Sequence, residues 1–167
     1  MATKTVRCPP RFEHLFVEAE KYVSKYFGTR EDSPETGSII IGGERYILVR
    51  AASMSVHFVD FVKNMYPVLN ERESIEAATK VLFDIANNIG GNDAKAFHQA
   101  TGVTDPIAKL STGPVHFAHS GWAFVDISPE SNPIPDDDYY LLYDHPQSFE
   151  SDSWIQLRGK TDFCTCV

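Results

Sequence analysis

The pair Gly42-Gly43 constrains the fold more than any other feature of this sequence. It joins two short stretches with apolar centres, residues 38–41 and 44–50, with the polar Glu44 and Arg45 beside the turn. A Gly-Gly link between such stretches predicts a β-hairpin, because the tight turn needs backbone angles that L side chains resist. Helical patterns lie on both sides of it. Upstream, Pro9-Pro10 halts whatever precedes, and Phe12, Leu15, Phe16, Ala19, Tyr22, Val23, Tyr26 and Phe27 recur at three- and four-residue spacing until Gly28, the pattern of an amphipathic helix. The polar stretch 30–37 reads as a loop. Downstream, one helix is predicted over 53–66, with Met54, Phe58, Phe61, Val62 and Met65 on one face. Another starts near Ser74, carries Ile75, Ala78, Val81, Leu82, Ile85 and Ile89, and is capped by Gly90-Gly91. Short helices are expected over 92–100 and 105–110, the second with Pro106 at its first position. Past Ser111 strand patterns take over, at 121–127 and 139–143, around a Pro- and Asp-rich loop at 128–138. Residues 148–157 fit either a strand end or a short helix. Helix, hairpin, helices and then strands is the order of an α+β fold, with helices packed on an antiparallel sheet, rather than of a doubly wound one. A chain of 167 residues can build such a core without disulfides.

Charge narrows the partners. The formal net charge is −8, and all of it is local: residues 110–157 contain eight acids and no Lys or Arg, while the remainder holds 15 bases and 15 acids. Direct nucleic-acid binding needs a basic face, and an anionic membrane surface makes the same demand, so neither is expected. The longest unbroken apolar run, residues 139–143, is far too short to span a bilayer. Three cysteines make no disulfide framework, and the N-terminus lacks an apolar leader, so a cytoplasmic setting is expected.

No catalytic motif stands out. Neither Gly-Gly pair is followed by the residues of a phosphate-binding or dinucleotide-binding loop. Residues 144–154 mix Ser, His and Asp without a nucleophile elbow, so the chain is not expected to be an enzyme. His116 and His119 are three apart, a spacing that aligns two metal ligands on a helix and opposes them on a strand. Cys164-Thr-Cys166 is too little for a zinc site alone, since zinc takes four ligands, although His145 or Glu150 could add to it. The second half also sets His and acids among Phe117, Trp122, Phe124, Tyr139, Tyr140, Tyr143, Phe149 and Trp154. Rings with a few polar anchors make a small-molecule pocket, and equally make a core.

Two runs carry a resemblance. Lys109-Leu-Ser-x-Gly-Pro-Val-His-Phe-Ala-x-x-Gly-Trp-Ala-x-Val, followed by Tyr139-x-Leu-x-Tyr-x-His-x-x-Ser-Phe-Glu-x-Asp-x-Trp154, resembles the ligand-sensing region of XylR/DmpR-type bacterial activators of aromatic catabolism. In those regulators a XylR N-terminal domain precedes a 4-vinyl-reductase domain. The hairpin, Arg50-Ala51-Ala52 and Gly90-Gly91-Asn-Asp-Ala look like the first part of the same unit, so the likeness runs from about residue 38 to the end.

The resemblance implies a fold similar to the ligand-binding fold of haem–nitric-oxide sensors and a transport-particle subunit. It also implies two parts, residues 1–105 and 106–167. A small aromatic or hydrophobic ligand would bind, the chain would form a homodimer, and occupancy would control transcription or signal transduction through an output domain in a longer protein. The ligand-binding residues expected on this basis are His116, Phe117, Trp122, Tyr143, His145 and Phe149. His116 falls one place early on the family's Gly-Pro-x-x-His stretch, and Tyr143 or His145 stands near the family's pocket Trp. Cys166 matches the first zinc ligand of the family, with Cys164 a possible second, and the rest of the site is expected beyond Val167. The alternative function is an enzyme or accessory protein of pigment biosynthesis related to 4-vinyl reductase.

Overall fold

The computed structural model of the protein describes residues 3–134 and 136–159. The fold is α+β, as expected, and its contacts divide it into two compact units, Met1–Ile47 with Ala94–Gln147, and Leu48–Asp93 with Ser148–Val167. This division crosses both parts implied by the resemblance.

The first unit is built on helix α1 (Glu13–Phe27), which packs along helix α4 (Pro106–Ser120). A short 3₁₀ turn, Pro10–Phe12, leads into α1, and the face predicted from its periodicity is the one buried: Phe16, Ala19, Val23 and Tyr26. One three-stranded sheet has the order β1 (Val6–Arg7), β5 (Ala123–Ile127), β6 (Tyr143–Ser148). β1 and β5 run parallel, with Val6 opposite Val125. The other sheet is an antiparallel meander of β2 (Glu31–Ser33), β3 (Ser38–Ile41) and β4 (Glu44–Tyr46). The hairpin forms at the Gly-Gly turn, with φ of 59° at Gly42 and 86° at Gly43. Part of the stretch read as a loop supplies β2, because Pro34–Gly37 makes a turn and returns residues 31–33 against β3. Val6, Phe16, Val23, Tyr26, Ile41, Phe97, Val115, Val125 and Ile127 form its core.

The second unit holds a 3₁₀ turn at Ala51–Met54, helix α2 (Val56–Met65), most of helix α3 (Glu71–Thr101) and helix α5 (Phe149–Arg158). Its core is Val56, Val59, Val62, Ala78 and Trp154. Of the face predicted for α2, Val62 is buried and Phe58 packs against this core, whereas Phe61 and Met65 are half exposed and Val56 and Val59 turn inward.

The bounds of α3 and α4 differ from those expected. α3 begins at Glu71 because Asn70 and Glu73 form a reciprocal capping box, with Glu73 N donating to Asn70 Oδ1 at 3.0 Å and Asn70 N to Glu73 Oε2 at 2.8 Å. It then runs through Gly90-Gly91 without ending. A capping glycine takes a positive φ, and these two do not, so they interrupt neither the backbone bonds nor the segment 92–100 beyond. α4 starts as predicted, with Pro106 first and Asp105 accepting from Ala108 N at 2.8 Å, but it continues through Pro114 to Ser120 rather than stopping at residue 110. Fully buried Val115 holds that last stretch against the core, which outweighs the proline penalty. The segment 139–143 is mostly irregular, held by the Asn132–Tyr140 bridge, and the strand follows it as β6. Residues 148–157 resolve as helix α5, opened by Ser148, whose Oγ accepts from Ser151 N at 3.1 Å.

Two arginines of the first segment reach the acidic stretch. Arg7 pairs with Asp126 at 2.7 Å, and Arg11 donates to the carbonyls of Pro129 and Ser131.

Candidate functional site

α4 carries His116, Phe117 and His119 within one turn. Adjacent helical residues point about 100° apart, whereas residues three apart share a face. The two imidazoles therefore face α1 together, and Phe117 faces elsewhere.

On the α1 side, His116 meets Phe27 edge-on, with ring centroids 5.0 Å apart, and Phe97 at 5.7 Å. Phe97 in turn contacts Tyr26 at 5.1 Å. His119 stacks on Phe27, and its Nε2 lies 3.4 Å from Ser24 Oγ. His116 Nε2 is buried and has no hydrogen-bond partner among the described residues. Burial, then the neighbouring His119 and His98, push the His116 pKa down to about 4, so the ring is neutral at ordinary pH. Burial also lowers His98, with Lys109 adding to the shift.

The second cluster lies between α4 and β6. His145 meets Phe117 at 6.1 Å with the rings 70° apart, and Tyr143 at 5.2 Å. Phe117 and Tyr143 are partly exposed, yet His145 Nε2 is buried and has no partner among the described residues. Burial lowers the His145 pKa, opposed by the carboxylate of Asp144.

Of the six residues expected to bind ligand, the structure thus gathers Phe117, Tyr143 and His145. His116 sits on the same helix within the ring cluster of α1. Trp122, half-buried, follows the α4 cap at Gly121, and its N donates to Phe117 O at 2.9 Å. Phe149 opens α5, in the unit Leu48–Asp93 with Ser148–Val167. Sequence reasoning missed Phe27 and Phe97 as ring partners of His116. The signal was the 116/119 spacing, which becomes informative once the helix is carried through Pro114.

The helical setting does align His116 and His119. Among the described residues, however, no group of three or more His, Cys, Asp or Glu could hold a metal ion. Cys164 and Cys166 lie outside the described residues, so the zinc expectation rests on their sequence alone. No helix of the described residues is long and apolar enough to cross a membrane.

Fold and site together define an α+β protein whose helix α4 sets two imidazoles against the Phe27 ring of α1. No protein-family model matches the chain, and neither curated proteins nor solved structures give a match. The resemblance to XylR/DmpR-type sensors rests on the sequence stretches quoted above.

Proposed function

We propose that this chain is a regulatory domain that senses a small, neutral aromatic or hydrophobic molecule at the Phe117–Tyr143–His145 cluster. It acts in the cytoplasm and performs no catalysis. One observation carries this reading: His145 offers a buried Nε2 with no partner among the described residues, flanked by two partly exposed rings. A buried polar atom left unsatisfied costs roughly 1–3 kcal/mol, and a ligand that hydrogen-bonds it recovers that cost. The rings supply the flat apolar walls that small-molecule sites use. With no Lys or Arg from residue 110 to 157 and a depressed His145 pKa, the setting favours an uncharged ligand.

The same helix supports transmission. α4 presents Phe117 to the ligand cluster and His116 with His119 to Phe27 of α1, so a ligand that prefers one placement of α4 shifts the packing of α1. Such a shift reaches an output domain in a longer protein only through differential affinity for the two states.

Thermal-shift screening with neutral small aromatics and porphyrin-like compounds tests this function. A ligand present at 100 times its Kd adds roughly 2.7 kcal/mol to stability, enough for a clear shift. Binders are expected to lose their effect in Tyr143→Ala. If no compound raises the melting temperature, the sensing function is wrong.

A further inference from the structure

Helix α3 carries in its middle the signals that end one helix and start another. Gly90-Gly91 is followed by Asn92 and Asp93. Glycine just past a helix is a common C-terminal cap, asparagine is among the best N-terminal caps, and an acid in the first turn complements the helix dipole. The chain uses these devices elsewhere. Gly102, Gly121 and Gly159 follow α3, α4 and α5 with φ of 68°, 79° and 69°, and the side chain of Asn70 opens α3. At residues 90–93 the same signals are overridden and the helix is continuous.

Side-chain packing does not do the overriding. α3 buries Ser74, Ala78 and Leu82 towards one end and Phe97 towards the other, and no residue from 83 to 96 is buried. Ala78 belongs to the core of one unit and Phe97 to the core of the other, and the division between units falls at Asp93/Ala94. A side-chain carbon on Gly90 or Gly91 would meet nothing within 4 Å. Residues 87–92 read Asn-Asn-Ile-Gly-Gly-Asn, types low in helix propensity, so the backbone ladder alone holds this stretch. Local preference and observed element oppose each other here without compensation, which marks a two-state element.

We propose that α3 is a jointed helix. Its continuous form exchanges with a broken form in which Gly90 turns left-handed to close a helix 71–89 and Asn92 opens a separate helix 93–101. The inference stands apart from the sensing function. The break opens four ladder bonds, from the N–H groups of residues 92–95, and the Asn92 side-chain oxygen takes up one of them. Because nothing from 83 to 96 is buried, each core keeps its own end of α3 intact.

Pulsed electron paramagnetic resonance on the whole chain tests the joint, with spin labels at the exposed positions 80 and 95. Attachment through introduced ketone-bearing residues leaves the native cysteines in place. Along an unbroken helix the two positions lie about 22 Å apart. The expected result is two distance populations, one near that value and one clearly shorter. Gly90→Ala combined with Gly91→Ala should shrink the second population about tenfold while the melting temperature holds or rises, and Asn92→Ala should shrink it about fivefold. A single population near the helix value in the wild type, or a second one that survives both glycine substitutions, overturns the proposal. A second population lost with the glycines but indifferent to Asn92→Ala overturns the role of Asn92 as the cap.

Discussion

The imidazole of His119 stacks on the ring of Phe27, with centroids 5.2 Å apart and the planes 17° from parallel. The same phenyl ring takes the edge of His116. One side chain of α1 thus fixes two side chains of α4, and the helix pair should depend on it. Phe27→Ala should lower stability by about 2–3 kcal/mol, less than for a fully buried Phe because Phe27 is partly exposed. Urea denaturation checks this, and a loss below about 0.5 kcal/mol, the range of an ordinary surface substitution, would contradict it.

His116 should make the fold acid-sensitive. Its folded-state pKa of about 4 lies below the ordinary 6.5. In that window the unfolded chain binds a proton and the folded chain does not, so stability rises with pH and is lost as pH falls from 6.5 towards 4. The full contribution is about 3 kcal/mol at neutral pH. His98 and His145, also shifted down by burial, act with the same sign. Denaturation midpoints measured across this range should show a clear slope in the wild type and a much flatter one in His116→Phe. Equal slopes would remove His116 from the account.

Gly90 separates a continuous helix from a capped one. A side-chain carbon at Gly90 meets nothing within 4 Å, and its φ is not positive. Gly90→Ala should therefore stabilise the protein by about 0.5–1 kcal/mol. Destabilisation by a similar amount would mean that α3 ends there after all.

Gly42 should behave in the opposite way. It has a φ of 59°, and an added carbon would lie 2.0 Å from Tyr26 Cε2. Gly43, at φ 86°, has open space around it. Gly43→Ala should cost about 1–2 kcal/mol from backbone strain alone, and Gly42→Ala distinctly more, since the Tyr26 ring must also move. Equal costs would place the hairpin off α1.

Local chemistry made much of the fold legible. Pro10 and Gly28 bracketed α1, Gly42-Gly43 marked the hairpin, and Asp105-Pro106 opened α4, because each acts through its own backbone. What escaped depended on tertiary packing. Nothing near Pro114 signals that Val115 will be buried deeply enough to carry the helix past it, and the inward turn of Val56 and Val59 in α2 depends on their packing with Ala78 and Trp154. The start of α3 is legible in Asn70-x-x-Glu73, a capping box that apolar periodicity does not mark. For the site, Phe117, Tyr143 and His145 were readable as rings beside a histidine, but their meeting depends on β6 beginning at Tyr143 rather than ending there.

The sensing account is tested most directly by NMR of ¹⁵N-labelled histidine side chains during titration with a neutral aromatic that raises the melting temperature. The account predicts that the Nε2 resonance of His145 moves strongly and saturably, that Tyr143 and Phe117 ring signals follow, and that exposed His14 and His57 stay fixed. A bound ligand that leaves His145 Nε2 unchanged would contradict it.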